Sequence, residues 1–204
     1  MKLSEAYWED RYKKLATGWD VGKITKPLKK YFDQVSDKSI RILIPGSGNG
    51  HEAEYLFNNN FTNTYSLDFS QKAISNFISR VPLFKKDQII HMSFFDYEGQ
   101  FDLILEQTFF CAIDIKKRKE YVKKVSSLLN NGGKLVGLFF SDPLNTDHPP
   151  FGGDKNEYIE LFSEYFDIQT IDRCYNSETD RIGKELFLIL VKKNIATKKT
   201  IISY

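Results

Sequence analysis

The chain predicts a doubly wound α/β fold built on a mostly parallel sheet, and three observations carry that reading. An apolar run from Ile40 enters the alternating glycines Gly46, Gly48 and Gly50. A second apolar run ends at Asp68, about twenty residues on, where such sheets place the carboxylate that grips ribose hydroxyls. Strand-like and helix-like segments then alternate through most of the 204 residues.

Two short helices, about Ser4 to Leu15 and Thr25 to Val35, come first, joined by a turn holding Gly18 and Gly22. Lying ahead of the first strand, residues 1–36 read as a helical cover for whatever the sheet binds. A helix from Gly50 to Asn59 follows the glycines, and Ser70 suits the cap of the helix after Asp68. Next come a strand over Gln88 to Met92, a strand over Phe101 to Glu106 and a helix over Lys116 to Asn130. The residues at 130–133, Asn-Asn-Gly-Gly, read as a stop before a strand over Lys134 to Phe140. A helix over Lys155 to Phe166 precedes strands at Asp167 to Cys174 and Glu185 to Lys192. Their connection is too short for a parallel crossover, so they read as a hairpin. The sheet domain is placed at 37–194, with 195–204 as a tail, in one domain overall.

Composition narrows the function. With 41% hydrophobic and 15% aromatic residues, the chain can bury one good core. Its 29 Lys and Arg against 27 Asp and Glu leave a net charge of +2, too little to favour nucleic acid or an anionic membrane. Lys192, Lys193, Lys198 and Lys199 read as a short solvated run. Cys111 and Cys174 form neither a disulfide framework nor metal-ligand spacing, and a metal-free reaction is expected. The first residues hold no apolar secretory core, and no apolar stretch nears the roughly twenty residues that span a bilayer. The expectation is a cytoplasmic monomer whose partner is a small molecule.

Spacing of the glycines selects the ligand. A dinucleotide loop needs Gly-x-Gly-x-x-Gly so that helix amides meet a pyrophosphate, but the last of those positions is His51. Gly-x-Gly-x-Gly is common where no phosphate is cradled, as in S-adenosylmethionine sites. An ordinary glycine-rich turn is the bland alternative.

Longer motifs sharpen this. Tyr7-Trp8-Glu9, Gly18-Trp19-Asp20-Val21-Gly22, Pro45-Gly46-Ser47-Gly48-Asn49-Gly50-His51-Glu52, Ser93-Phe94-Phe95-Asp96 and the run Glu106 to Ile113 together resemble the thiopurine S-methyltransferase family of class I S-adenosylmethionine-dependent methyltransferases. Proline before the glycines is the specific touch, and Phe109-Phe110-Cys111-Ala112-Ile113 looks like the halide and thiol methyltransferase branch. The resemblance implies a Rossmann-like sheet of seven strands with the last antiparallel. It also implies that Trp19 lies over the cofactor, Gly46 under its methionine portion, Asp68 on the ribose, Ser93 and Phe94 beside the adenine, and Gln107 near the sulfonium. Thiopurine-type members carry arginine where Gln107 stands, so that contact does not transfer. Pro45, Gly48, Gly50 and Phe69 complete the expected cofactor set. Asp96 is open between an adenine contact and a turn carboxylate, and Glu106 between orienting Gln107 and meeting the cofactor's ammonium.

Methyl transfer from a sulfonium is an in-line displacement, so positioning in a dry pocket matters more than a strong base. The expected substrate pocket is Trp8, Phe109, Phe110, Phe140 and Phe151, an aromatic wall suited to a small soft nucleophile such as a thiol, hydrosulfide or halide. Strand alternation sends one of Phe139 and Phe140 away from the site. His148, on the long loop after the fifth strand, is either a site residue or a solvated loop histidine, and no catalytic residue is assigned. An oxygen or nitrogen methyltransferase using His148 or Asp142 as base, a non-catalytic adenosylmethionine-binding module and a dehydrogenase remain as alternatives.

Overall fold

The computed structural model describes residues 3–142 and 144–194. The expected tail at 195–204, with Lys198 and Lys199, lies outside the described residues. Seven strands form one sheet: β1 (Ile42–Pro45), β2 (Thr64–Asp68), β3 (Ile89–His91), β4 (Phe101–Gln107), β5 (Leu129–Phe140), β6 (Phe166–Arg173) and β7 (Glu185–Lys192). Their order is β3-β2-β1-β4-β5-β7-β6. The first five pair in parallel, while β7 runs antiparallel to both β5 and β6, closing the sheet as the expected hairpin.

Among the described residues, six α-helices cover it: α1 (Glu5–Lys13), α2 (Lys26–Asp33), α3 (His51–Asn58), α4 (Gln71–Arg80), α5 (Arg118–Leu128) and α6 (Lys155–Phe162). Central strands such as β1 are buried on both faces, which is why they read as continuous apolar runs. On one face Ile42, Ile44, Leu103 and Leu105 pack with Leu28, Leu56 and Phe77. On the other, Leu43, Ile104 and Phe139 pack with Tyr121, Val125 and Phe162. Ser70 caps α4 as its position implied, its hydroxyl accepting from the Ala73 amide at 3.1 Å.

Two boundaries differ from expectation. Residues 130–133 do not separate helix from strand: α5 stops at Leu128 and β5 starts at Leu129, with Gly132 at a φ of 74°. The extra residues are taken up as an irregularity, since Phe101 pairs with Leu129 while Leu103 pairs with Lys134. The last helix stops at Phe162 because Phe166, 1% exposed, already belongs to β6 and packs edge-on against Phe162. The order also puts a change of winding direction at β1 and β4. Ligands of open α/β sheets bind beyond the strand ends at that point.

Candidate functional site: a cofactor and substrate cleft

Beyond β1 the chain makes a left-handed turn, with φ of 57° at Gly46 and 54° at Gly48. A Cβ at Gly46 would overlap the Phe109 ring, and one at Gly48 the Tyr12 hydroxyl. Glycine therefore lets the aromatic wall and the cover close on bare backbone. Asp68, 7% exposed, holds this turn: Oδ2 accepts from the Gly48 amide at 2.8 Å and Oδ1 from the Ser70 amide at 2.7 Å. Burial pushes its carboxyl above the ordinary range, with the bonds from Ser70 and Gly48 opposing that rise.

The N-terminal segment is stapled over the turn. Trp19 stands edge-on to Trp8 and Tyr12, with ring centroids 5.4 and 5.8 Å away. Its carbonyl accepts from Arg181 Nη2 at 2.6 Å. Asp20 Oδ1 lies 2.8 Å from His51 Nε2 and accepts from the Gly22 amide at 2.7 Å, and Oδ2 accepts from Asn49 Nδ2 at 2.5 Å. Burial works against the ionised Asp20, but the bonds from His51, Asn49 and Gly22 outweigh it and hold the carboxyl well below its usual range. Glu9 fastens α1 by accepting from the Ser70 hydroxyl at 2.8 Å and the Lys72 amide at 2.9 Å.

Between cover and sheet lies a cleft of about 1140 Å³. Of the expected cofactor residues, Trp19, Gly46, Gly48, Asp68, Phe69, Ser93, Phe94 and Gln107 line it; of the expected pocket residues, Trp8, Phe109 and Phe140 do. Gln107 ends β4, accepts at Oε1 from the Thr25 hydroxyl at 3.1 Å, and leaves Nε2 buried without a partner. Cys111 also reaches the cleft, and burial pushes its thiol up to about 12, so it stays protonated.

Other expected residues lie elsewhere. Glu106 is fully buried behind the wall: Oε1 accepts from the Phe109 and Phe110 amides at 2.8 and 3.0 Å, and Oε2 from the Tyr121 hydroxyl at 2.8 Å. It fixes the turn that carries Phe109. Phe110 is core, 2% exposed and stacked on Phe139 at 4.5 Å, because the short 3₁₀ turn at Phe110–Ala112 sends it to the opposite side from Phe109. Phe151 is buried too, its amide bonded to the Cys111 carbonyl at 2.7 Å. His148 sits exposed at the loop tip with Nδ1 3.2 Å from the Pro149 carbonyl, while Leu144, Pro149 and Pro150 are what that loop gives the cleft. Pro45 is a buried strand end paired with Leu67. Gly50 abuts Phe77 at the start of α3. Asp96 faces solvent, its amide closing a turn onto Ser93.

Asp20, Thr25, His51, Glu52 and Arg181 were not expected at the site. The motifs around Asp20 and His51 held a signal, but Arg181 stood in a polar turn that offered none. Glu52, buried on the cleft wall, has its carboxyl pushed up to about 7 by desolvation. Among the described residues no group of three His, Cys, Asp or Glu side chains is placed to hold a metal ion.

The fold is that of S-adenosylmethionine-dependent methyltransferases. A magnesium protoporphyrin IX methyltransferase from Synechocystis PCC 6803, solved with bound S-adenosylmethionine, matches with a TM-score of 0.72 at 10% identity, over 95% of this chain and 98% of the other. A Burkholderia thailandensis 1,6-didemethyltoxoflavin-N1-methyltransferase with bound S-adenosylhomocysteine matches with a TM-score of 0.71 at 13% identity, over 94% and 88%. More specifically, the thiopurine S-methyltransferase family profile matches residues 3–188, and the chain belongs to that family. A probable thiol methyltransferase 2 of Arabidopsis thaliana is 30% identical over 163 residues, 78% of this chain and 72% of that protein. Thiocyanate methyltransferase 1 of the same plant is 28% identical over 193 residues, 90% and 83%.

The residues present fit S-adenosylmethionine. Each Asp68 oxygen spends one acceptor position on the backbone and keeps another for a vicinal hydroxyl. Phe94 stands beside Ser93 on the cleft wall.

Proposed function

We propose that this methyltransferase alkylates a small, soft, anionic acceptor, a hydrosulfide, thiolate or halide. The observation that carries this is the character of the cleft: aromatic at Trp8, Phe109 and Phe140, with its two lining histidines already engaged. His51 is paired with Asp20, and His91 Nε2 lies 2.9 Å from the Phe69 carbonyl. An acceptor that arrives ionised needs no base, and the hydration it gives up on entering such walls leaves its lone pair more reactive toward the sulfonium. The names of the thiol and thiocyanate methyltransferase relatives agree with this chemistry.

When bound, S-adenosylmethionine supplies an electrophilic methyl on a sulfonium and leaves as the neutral thioether. We assign Asp68 to the ribose hydroxyls, the Gly46–Gly48 backbone to the amino-acid end, Phe69, Ser93 and Phe94 to the adenine, and Trp19 to the lid. Phe109 and Phe140 exclude water and restrict the approach of the acceptor. The division into a cover at 1–36 and a sheet domain at 37–194 belongs to the same reading. So does a cytoplasmic monomer acting on small solutes without nucleic acid or membrane. A near-neutral net charge and two buried free cysteines support it. So does the lack, among the described residues, of a helix long and apolar enough to cross a membrane.

The test is adenosylhomocysteine formation across hydrosulfide, thiocyanate, iodide, an aryl thiol, a thiopurine, a catechol and a primary amine. Turnover with sulfur or halide acceptors is expected. Product with catechol or amine alone would replace this reading with oxygen or nitrogen transfer, and cofactor binding without any product would leave a binding module.

A further inference from the structure

We propose that Arg118 sets the size of acceptor this enzyme takes, by clamping the loop after β5 whose residues wall one end of the cleft. This rests on the function proposed above and names a positioning residue for it, since Arg118 does not itself line the cleft. The sheet assigns the two ends. The glycine turn follows β1 and Asp68 ends β2, so the cofactor lies on that side of the change in winding, and the acceptor falls on the side of β4 and β5. There Phe140 ends β5, and Leu144, Pro149 and Pro150 of the following loop join it in the lining.

That loop is held at its neck. The Phe151 amide donates to the Cys111 carbonyl at 2.7 Å, and the Gly153 amide to the Asp142 carbonyl at 3.3 Å. Arg118, 4% exposed at the start of α5, adds the hold from beneath. Its Nη2 donates to the Gly152 carbonyl at 2.7 Å and reaches that of Phe151 at 3.5 Å, while Nη1 pairs with Glu157 of α6 at 2.5 Å. One planar guanidinium thus ties two consecutive loop carbonyls to two helices.

Burying an arginine is a poor route to stability alone, because desolvation offsets most of what the ion pair returns and an apolar side chain of similar volume packs as well. What the charged fork supplies is a single arrangement of the loop, since its bonds end on main-chain carbonyls. The loop side chains that reach the cleft are apolar, as Phe140 is, so the clamp decides how closely that wall stands to the reacting centre. A displacement of about 1 Å is enough to spoil the in-line approach of a small anion, which has no bulk to hold it against the methyl. An aryl thiol fills the widened space instead.

The experiment compares wild type with Arg118→Met, Arg118→Lys, Leu144→Ala and the double variant Arg118→Met with Leu144→Ala, measuring kcat/KM for hydrosulfide and for an aryl thiol. Melting temperature and adenosylhomocysteine affinity, read by Trp8 and Trp19 fluorescence, report on folding and on the cofactor end. Arg118→Met should lower kcat/KM for hydrosulfide roughly tenfold while that for the aryl thiol holds or rises, with adenosylhomocysteine affinity little changed. Arg118→Lys keeps the charge but not the fork, should lower the ratio of the two several-fold, and serves where the methionine variant is too unstable to assay. Leu144→Ala should reproduce the shift, and the double variant should shift no further than either single one, because the clamp acts through the loop. An equal fall for both acceptors in the Arg118 variants, or an unchanged ratio, would overturn the proposal and leave a purely structural arginine, with the sulfur and halide function standing. So would full additivity in the double variant. Wild-type turnover with catechol or amine alone would overturn both.

Discussion

Replacing Glu106 by glutamine should remove a pH-dependent weakness from the fold while preserving the site. The buried carboxylate accepts three hydrogen bonds, two from the Phe109 and Phe110 amides and one from Tyr121. Burial nevertheless pushes its carboxyl up from 4.5 to about 7, the three bonds only partly opposing that rise. Because the folded value is raised, the fold is favoured while the group is protonated, and that advantage is lost as pH climbs from about 4.5 through about 7. Each tenfold in the ionisation equilibrium is worth about 1.4 kcal/mol, so the ionised fold forfeits roughly 3 kcal/mol. Glutamine keeps an oxygen for the two amides, and Tyr121 can turn its hydroxyl to accept from the new NH₂ group. Urea denaturation of both proteins at pH 5 and pH 9 isolates the residue from Glu52, which titrates in the same sense. Wild type should lose about 3 kcal/mol more than the variant across that interval. Equal losses would refute the argument that Glu106 is a desolvated positioning group. Glu106→Ala is the control: it strands two amides and a hydroxyl, and should cost roughly 3–5 kcal/mol at either pH.

Other perturbations separate binding from packing. Gly46→Ala forces a side chain into the left-handed region and against Phe109, so kcat/KM should fall roughly hundredfold while the melting temperature drops only modestly; retained activity would contradict the close approach. Asp68→Asn should weaken adenosylhomocysteine binding about tenfold or more, read by tryptophan fluorescence, and unchanged affinity would remove Asp68 from the ribose. Asp20→Ala frees His51, Asn49 and the 18–22 segment, and should speed cofactor dissociation in stopped-flow traces; it should also remove the stability that Asp20, with its depressed carboxyl, gives above its ordinary range and loses on acidification. Phe110→Ala should destabilise by about 3–5 kcal/mol yet leave the ranking of acceptors as in wild type, since Phe110 packs on Phe139 and not on the cleft.

Local rules wrote much of this molecule into its residues. Apolar runs buried on both faces marked the parallel strands, glycines followed by Asp68 marked the ligand end, and the short link before Glu185 marked the antiparallel closure. Residues 130–133 misled because Asn-Asn-Gly-Gly suits a turn, whereas pairing across to β4 absorbs those residues into a strand.

Placement on the cleft was legible where spacing along one element decides it, as for Gly46, Asp68 and Phe94. It was not legible for neighbours such as Phe109 and Phe110, which a single 3₁₀ turn sends to opposite sides. Nor was it legible for Glu106, whose carboxylate looks like a ligand group until its three partners are known. Sequence by itself determined the class of fold, the kind of cofactor and the aromatic character of the wall, because these follow from periodicity, backbone freedom and residue chemistry. Tertiary structure alone decided that Thr25 meets Gln107, that His51 holds Asp20, and that Arg181 reaches the Trp19 carbonyl. Those contacts join segments far apart in the chain, and only the packing of cover, sheet and hairpin brings them within hydrogen-bond reach.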